Sequence, residues 1–307
     1  MSEKLLQIEE INRHVIAEPL EFIKTAEDKY NNAIETLAEN LKNTPDCKII
    51  MLSGPSASGK TTSAMLLSKK LKSFGIQAYS VSLDNFYKDQ RATFLNEDGS
   101  PDFETVYALD LPILEKCLDN ILIKGASELP IFDFTNGKRS EQIDFLELTS
   151  NDVVIIEGIH ALNPRITDIL PQEKLVKVYI SVSSRIYDNN LDVVLGKRDL
   201  RFIRRLVRDF NFRSSTVENT FFIWQSVLKG EDKYLFPFKN NANYFIDSIH
   251  SFEPCIFRNC AIPLLQKVAE GSAYYQAAKR ITDCLVRFES LPLEAVPFDS
   301  MMREFVR

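Results

Sequence analysis

Residues 1 to 44 contain no glycine and only Pro19, and apolar positions such as Phe22, Ala26, Ala33, Ile34, Leu37 and Leu41 return at roughly helical spacing. That periodicity predicts a helical lead-in. The pattern then changes. Lys48 to Ser53 is short, mostly apolar and bounded by Pro45 and Gly54, as a buried strand would be. A helix is expected from about Lys60 to Phe74, closed by Gly75. Ile76 to Leu83 reads as the next strand, completing a strand, glycine loop, helix, strand crossover of ordinary length.

Further buried strands are expected at Val153 to Ile156, which runs into Glu157, and at Leu175 to Ser181, with Tyr244 to Ile249 as a fifth. Helical patterning at Leu109 to Ile123, Leu200 to Phe210, Val217 to Lys229 and Pro263 to Val268 separates them. Strand and helix signals in alternation predict an α/β fold, a doubly wound parallel sheet with helices on both faces. The last stretch, from about Ala273 to Arg307, reads as a helix followed by the proline-punctuated LPLEAVPFDS.

Composition narrows the function classes. The 307 residues are 45% hydrophobic and 26% charged, with a formal net charge of −6. No global positive field exists to hold nucleic acid or an anionic membrane surface. Charged residues enter from the third position and nowhere do eighteen apolar residues run together, which leads to the expectation of a cytoplasmic protein without a membrane span. The five cysteines (Cys47, Cys117, Cys255, Cys260, Cys284) form no C-x-x-C pair, and His14, His160 and His250 lie far apart. Neither a disulfide scaffold nor a zinc site is supported.

The strongest chemical signal is GPSASGKTT at 54 to 62, where Gly54, Gly59, Lys60 and Thr61 satisfy the phosphate-loop pattern between a predicted strand and a predicted helix. In such a loop the backbone of Ser56, Ala57, Ser58 and Gly59 wraps the β-phosphate, Lys60 reaches the β/γ oxygens, Thr61 faces Mg²⁺, and Thr62 completes the expected ATP-binding stretch. A GTPase would add D-x-x-G and N-K-x-D, and neither string occurs. The choice left is between an ATP-driven machine and a small-molecule kinase.

Asp84, in SLDNFY, falls at the carboxyl end of the second strand, beside the loop, where ligands gather in open α/β sheets. Transfer to an alcohol needs a carboxylate there to take the hydroxyl proton; a helix N-cap is the plainer alternative. Glu157, ending VVIIEG, could hold Mg²⁺ directly or through water, or be a solvated strand end. Arg201, Arg204, Arg205 and Arg208 fall at i, i+3, i+4 and i+7, opposite Ile203, Leu206, Val207 and Phe210. Residues 197 to 213 carry seven basic side chains against Asp199 and Asp209. That density predicts a movable lid around 197–216 that clamps phosphates.

These motifs in this order resemble the uridine/cytidine kinase and phosphoribulokinase family of P-loop kinases, with the bacterial-type uridine kinase subgroup the nearest in pattern. The resemblance spans roughly residues 47 to 270 and rests on GPSASGKTT, SLDNFY, DFETVYALD at 102 to 110, PIFDF at 130 to 134, IIEGIHAL at 155 to 162 and RRLVRDFNFR at 204 to 213. It implies ATP as phosphate donor, Mg²⁺ held by Thr61, Asp84 and Glu157, and a nucleoside 5′-hydroxyl as acceptor. It further implies that Asp84 is the base, that Tyr87, Phe103, Phe132 and Phe134 enclose the nucleoside, that Glu104 holds the ribose hydroxyls, and that Arg205, Arg208 and Arg213 are lid arginines. Where pyrimidine nucleoside kinases carry a tyrosine and a histidine this chain has Phe132 and Gly137, and Ser214 replaces a lid glycine; Asn136 or Arg139 could read the base instead.

The expected organisation is a helical N-terminal extension at 1–46, a kinase domain at 47–270 and a C-terminal extension at 271–307 packed on it. The alternatives left open are a sugar-phosphate kinase, whose arginines would bind the acceptor's own phosphate, and a nucleotide-binding regulatory module without activity. The expected partners are a small nucleoside and ATP, without nucleic acid or membrane, and a homo-oligomer stays open.

Overall fold

A computed structural model describes residues 5–44, 46–89, 94–95, 102, 104–133 and 136–307. In chain order its elements are β1 (Leu6–Gln7), α1 (Ile8–Ala17), α2 (Pro19–Lys42), β2 (Ile49–Ser53), α3 (Lys60–Ser73), β3 (Ala78–Ser82), α4 (Leu111–Lys124), β4 (Ala126–Asp133) and β5 (Lys138–Glu147). There follow β6 (Val153–Glu157), α5 (Pro164–Thr167), β7 (Leu175–Ser181), β8 (Ile186–Tyr187), β9 (Val193–Leu195), α6 (Lys197–Arg213), α7 (Val217–Tyr234), β10 (Tyr244–Asp247), α8 (Glu253–Leu265) and α9 (Tyr275–Leu285).

The five strands expected from the sequence pair in parallel in the order β10, β7, β2, β6, β3. Successive side chains of a strand point to opposite faces, so a strand buried on both faces reads as a continuous apolar run. Ile50 and Leu52 of β2 join Val178 and Ile180 of β7 in one core, covered by α1, α2, α3, α6, α8, α9 and the residues around Met301 and Phe305. Ile49 and Met51 join Val154 and Ile156 of β6 in a second core, covered by α4 and by Leu129 and Leu146 of the β4–β5 hairpin. The α/β architecture with helices on both faces is as the alternation predicts. Because the strands are parallel, Ser53, Ser82 and Glu157 arrive at one edge, with Glu157 in register with Leu52 and Ser82.

Several boundaries differ from expectation for local reasons. The lead-in is two helices, because Pro19 opens α2 in its first turn and the chain breaks at Glu18. Helix α4 begins at Leu111, since Asp110 Oδ1 accepts the Ile113 N–H at 3.4 Å, and ends where Gly125 takes φ +70°. The helix expected at Pro263 to Val268 is the end of α8, which starts ten residues earlier with Pro254 in its first turn. The hairpin β4–β5 was not expected, because β5 is largely exposed and its KRSEQIDFLE shows no apolar run. Among the described residues, no helix is long and apolar enough to cross a membrane.

Candidate active site

The chain leaves β2 at Ser53 and turns through the glycine loop into α3. A Cβ at Gly54 would stand 2.0 Å from the carbonyl oxygen of Ile180, so no side chain fits there. Ala57 (φ +57°) and Gly59 (φ +82°) are left-handed, which curls the loop around the first turn of α3. The first N–H groups of a helix have no acceptor within it and carry the positive end of its dipole, so the loop is built as an anion cradle. Ser58 Oγ is buried in it with no hydrogen-bond partner among the described residues. Lys60 Nζ donates to the Pro55 carbonyl at 3.1 Å.

The cradle is braced by charges that the sequence had placed over it. Arg201 is 2% exposed and Arg204 fully buried, so the expected arginine stripe does not face a ligand along its length. Arg201 donates to Glu231 at 2.7 and 2.8 Å and to the Ser56 carbonyl at 3.1 Å. Glu231 in turn accepts the Ser56 N–H at 2.8 Å. Arg204 donates to Glu253 at 2.6 Å, to the Ser248 carbonyl at 2.7 Å and to the Ala57 carbonyl at 3.4 Å. The opposite face also departs from expectation at Phe210, which is 41% exposed. Helix α6 is buried on two sides because it packs against both α7 and α8, and its first half holds the loop from beside it.

In front of the cradle lies a cleft of about 740 Å³ lined by Ser56 to Thr62, Asp84, Tyr87, Glu104, Glu157, Arg205, Arg208 and Arg213. Asp84 sits in a single turn, Leu83–Phe86, directly after β3; the cap of that turn is Ser82, whose Oγ accepts the Asp84 N–H at 3.3 Å. Asp84 is therefore not the N-cap, and its carboxylate is left to the cleft. Burial pushes the Asp84 carboxyl above its ordinary value, against the opposing pull of Lys60 and Arg213. Glu157, at the end of β6, is raised by burial, lowered by Lys60 and raised again by Asp84. Glu104 is pushed up to about 7 by burial first and by the charge of Glu231, with Arg205 and Lys60 opposing.

The second half of α6 supplies the cations. Arg205 donates to Ser56 Oγ at 2.8 Å. Asp209, 4% exposed, lies 3.1 Å from Arg205, 2.8 Å from Arg208 and 3.6 Å from Arg213, so one buried carboxylate gathers three guanidinium groups. Burial lowers Arg205 and Arg213 from the usual arginine value. Ser214 closes the helix at φ +51°, taking the left-handed turn a glycine would have eased.

Not every expected residue reaches the cleft. Phe132 is buried edge-on to Tyr87, with ring centroids 5.9 Å apart, and is not among the described residues that line the cleft. Arg139 pairs with Asp110 at 3.2 Å and tethers the hairpin to the start of α4. Phe103 and Phe134 lie outside the described residues. Conversely, Asp209 was legible only as a charge on an expected helix, and Glu231 and Glu253 fall outside the helical spans expected at Val217 to Lys229 and Pro263 to Val268. Phe298, Asp299, Ser300, Arg303 and Glu304 of the C-terminal stretch line the cleft without any motif to announce them.

The sequence model of the phosphoribulokinase/uridine kinase family matches residues 49–253. A uridine kinase of Staphylococcus haemolyticus is 31% identical over 203 residues, which are 64% of this chain and 86% of that protein. A uridine kinase of Macrococcus caseolyticus is 30% identical over the same shares. A solved structure from Silicibacter sp. TM1040, named for a fructose transport system kinase, superposes with a TM-score of 0.52 at 18% identity, covering 69% of this chain and 98% of that one; at that identity the likeness shows the fold alone.

Proposed function

The chain belongs to the phosphoribulokinase/uridine kinase family, and on that premise we propose that it transfers the γ-phosphoryl group of ATP, with Mg²⁺, to the 5′-hydroxyl of a nucleoside. The observation that carries the reading is Asp84: a half-buried carboxylate that lines the same cleft as Lys60, with its carboxyl raised by desolvation against the opposing pull of Lys60 and Arg213. The names of the relatives, uridine kinases, support a nucleoside as the acceptor class.

The site fits a bound triphosphate and its metal. The buried Ser58 hydroxyl, which has no partner among the described residues, and the left-handed turns at Ala57 and Gly59 suit close approach of phosphate oxygens. Among the described residues no group of three or more His, Cys, Asp or Glu side chains could hold a metal ion, whereas Mg²⁺ commonly takes one or two carboxylates and completes its shell with water and phosphate. Thr61, Asp84 and Glu157 would hold it, and when bound it neutralises charge across the β- and γ-phosphates.

Asp84 accepts the proton of the acceptor hydroxyl as that oxygen bonds to the γ-phosphorus and the bridging oxygen leaves with ADP. A carboxylate raised by burial is a stronger base than one in water. Lys60, released from the Pro55 carbonyl, and Arg205, Arg208 and Arg213 stabilise charge on the transferring group, the larger part of catalysis in such reactions. Glu104 accepts a hydrogen bond from the acceptor's ribose.

The test is ADP release measured with uridine, cytidine, adenosine, guanosine, thymidine and a panel of sugar phosphates, for the native chain and Lys60→Ala. Release with nucleosides, lost in Lys60→Ala, is expected. Release with sugar phosphates alone would overturn the acceptor, and near-normal turnover by Lys60→Ala would overturn the role of the loop.

A further inference from the structure

The matched family region ends at residue 253, yet Phe298, Asp299, Ser300, Arg303 and Glu304 stand on the wall of the cleft. This segment is held firmly. Thr62 Oγ1 donates to Glu304 Oε2 at 2.7 Å, the Ser300 hydroxyl donates to Glu27 of α2, and Arg303 donates to the carbonyls of Val296 and Pro297. Met301 is buried so close to the loop that a Cβ on Gly59 would come within 2.8 Å of its sulfur. Phe305 is buried against the guanidinium of Arg204 at 5.1 Å.

Within this pinned segment Phe298 is 95% exposed, and Met65 on the same cleft is 58% exposed. A single exposed apolar side chain needs no explanation, but two that line the same charged cleft offer apolar surface that a ligand in it could cover. Thr61, Thr62, Met65 and Leu66 line the cleft in succession along α3, each residue rising about 1.5 Å from the cradle. The segment thus adjoins the stretch that follows the phosphate cradle. Asp299 and Glu304 bring negative charge there, which repels phosphate but suits hydroxyl donors.

We propose that Phe298–Glu304 forms the nucleoside end of the donor subsite, with Phe298 and Met65 giving apolar faces to the donor's base and Glu304 accepting from its ribose hydroxyls. The inference rests on the kinase reading above and assigns the donor-side contacts to a segment outside the matched family region. Base stacking on an aromatic ring tolerates many bases, so this wall selects for a nucleoside over bare polyphosphate more than it selects among nucleosides.

The experiment is calorimetric binding of ATP and of inorganic tripolyphosphate to the full chain, to Phe298→Ala and to Phe298→Trp, with thermal unfolding recorded for each. Since Phe298 is exposed, its replacement should leave the unfolding midpoint in place. Phe298→Ala should bind ATP about 5- to 150-fold more weakly, the range of one lost base stack, and tripolyphosphate equally well; Phe298→Trp should restore ATP binding. ATP affinity within about twofold of native in Phe298→Ala, or an equal loss for tripolyphosphate, would overturn the proposal and leave the kinase reading standing. Failure of the native chain to bind either ligand would overturn both.

Discussion

Glu231 grips the guanidinium of Arg201 at 2.7 and 2.8 Å, and the same carboxylate accepts the Ser56 N–H at 2.8 Å. Helix α7 thereby holds the phosphate loop through a pair that is 0% and 2% exposed. Removing one partner leaves a buried charge uncompensated, which costs about 3–5 kcal/mol. Glu231→Gln is expected to lower stability by that order in denaturant unfolding and to weaken ATP binding. Native stability with native ATP affinity would show that the pair neither stabilises nor shapes the loop.

Asp84→Asn should keep most of the ATP affinity and lose most of the turnover, because an amide cannot take the acceptor's proton. Calorimetry and single-turnover kinetics separate the two. A fall in turnover of less than about tenfold, or 1.4 kcal/mol in barrier, would mean that the proton goes elsewhere.

The arginines of α6 should divide by position. Arg204, fully buried on Glu253, is structural, and Arg204→Ala should cost about 3–5 kcal/mol of stability. Arg205→Ala and Arg208→Ala, on the cleft wall, should slow transfer about 10- to 1,000-fold, as loss of a charge-stabilising donor does, with a smaller loss of stability. Lysine should rescue these two poorly, since an ammonium cannot reproduce the planar fork. Full rescue by lysine would remove them from the transition state.

Gly230 of α7 is where Glu104 comes close: a Cβ there would stand 2.4 Å from the Cβ of Glu104. Alanine in a helix interior gains roughly 0.5–1 kcal/mol over glycine, but here that gain meets a backbone-near clash. Gly230→Ala is expected to raise the acceptor KM while leaving the Kd for ATP within about threefold. An unchanged acceptor KM would show that Glu104 does not contact the acceptor.

Glu104 also sets a pH dependence. Its folded value, about 7, lies above the usual carboxylate value, so between the two the folded state binds more protons than the unfolded state. Stability from this group is full below the unfolded value and is lost as pH rises toward and through about 7. Chemical unfolding of the ligand-free chain between pH 5 and 8 should show the decline, and Glu104→Gln should make it shallower, leaving what Asp84 and Glu157, also raised by burial, contribute. Over the same range kcat/KM for the acceptor should rise as Glu104 ionises, and Glu104→Gln should remove that part of the rise while the part due to ionisation of the base Asp84 persists.

The α/β fold and the cradle were legible in the sequence because their causes are local. Ile49–Ser53 is apolar over one strand length and the next residues are GPSASGKTT; Gly54 and Gly59 stand where a side chain meets Ile180 or Met301. Asp84 and Glu157 both line the cleft because parallel strands deliver their carboxyl ends to one edge. Tertiary packing decided the rest. The spacing of Arg201, Arg204, Arg205 and Arg208 is the same along the helix, yet burial against α7 and α8 turns the first two into braces and leaves the last two to the cleft. Phe132 is held edge-on against Tyr87 by packing that no motif encodes. The contact of Glu304 with Thr62, 242 positions apart, has no sequence signature, because a long-range hydrogen bond depends on the path of the whole chain and not on the residues near either end.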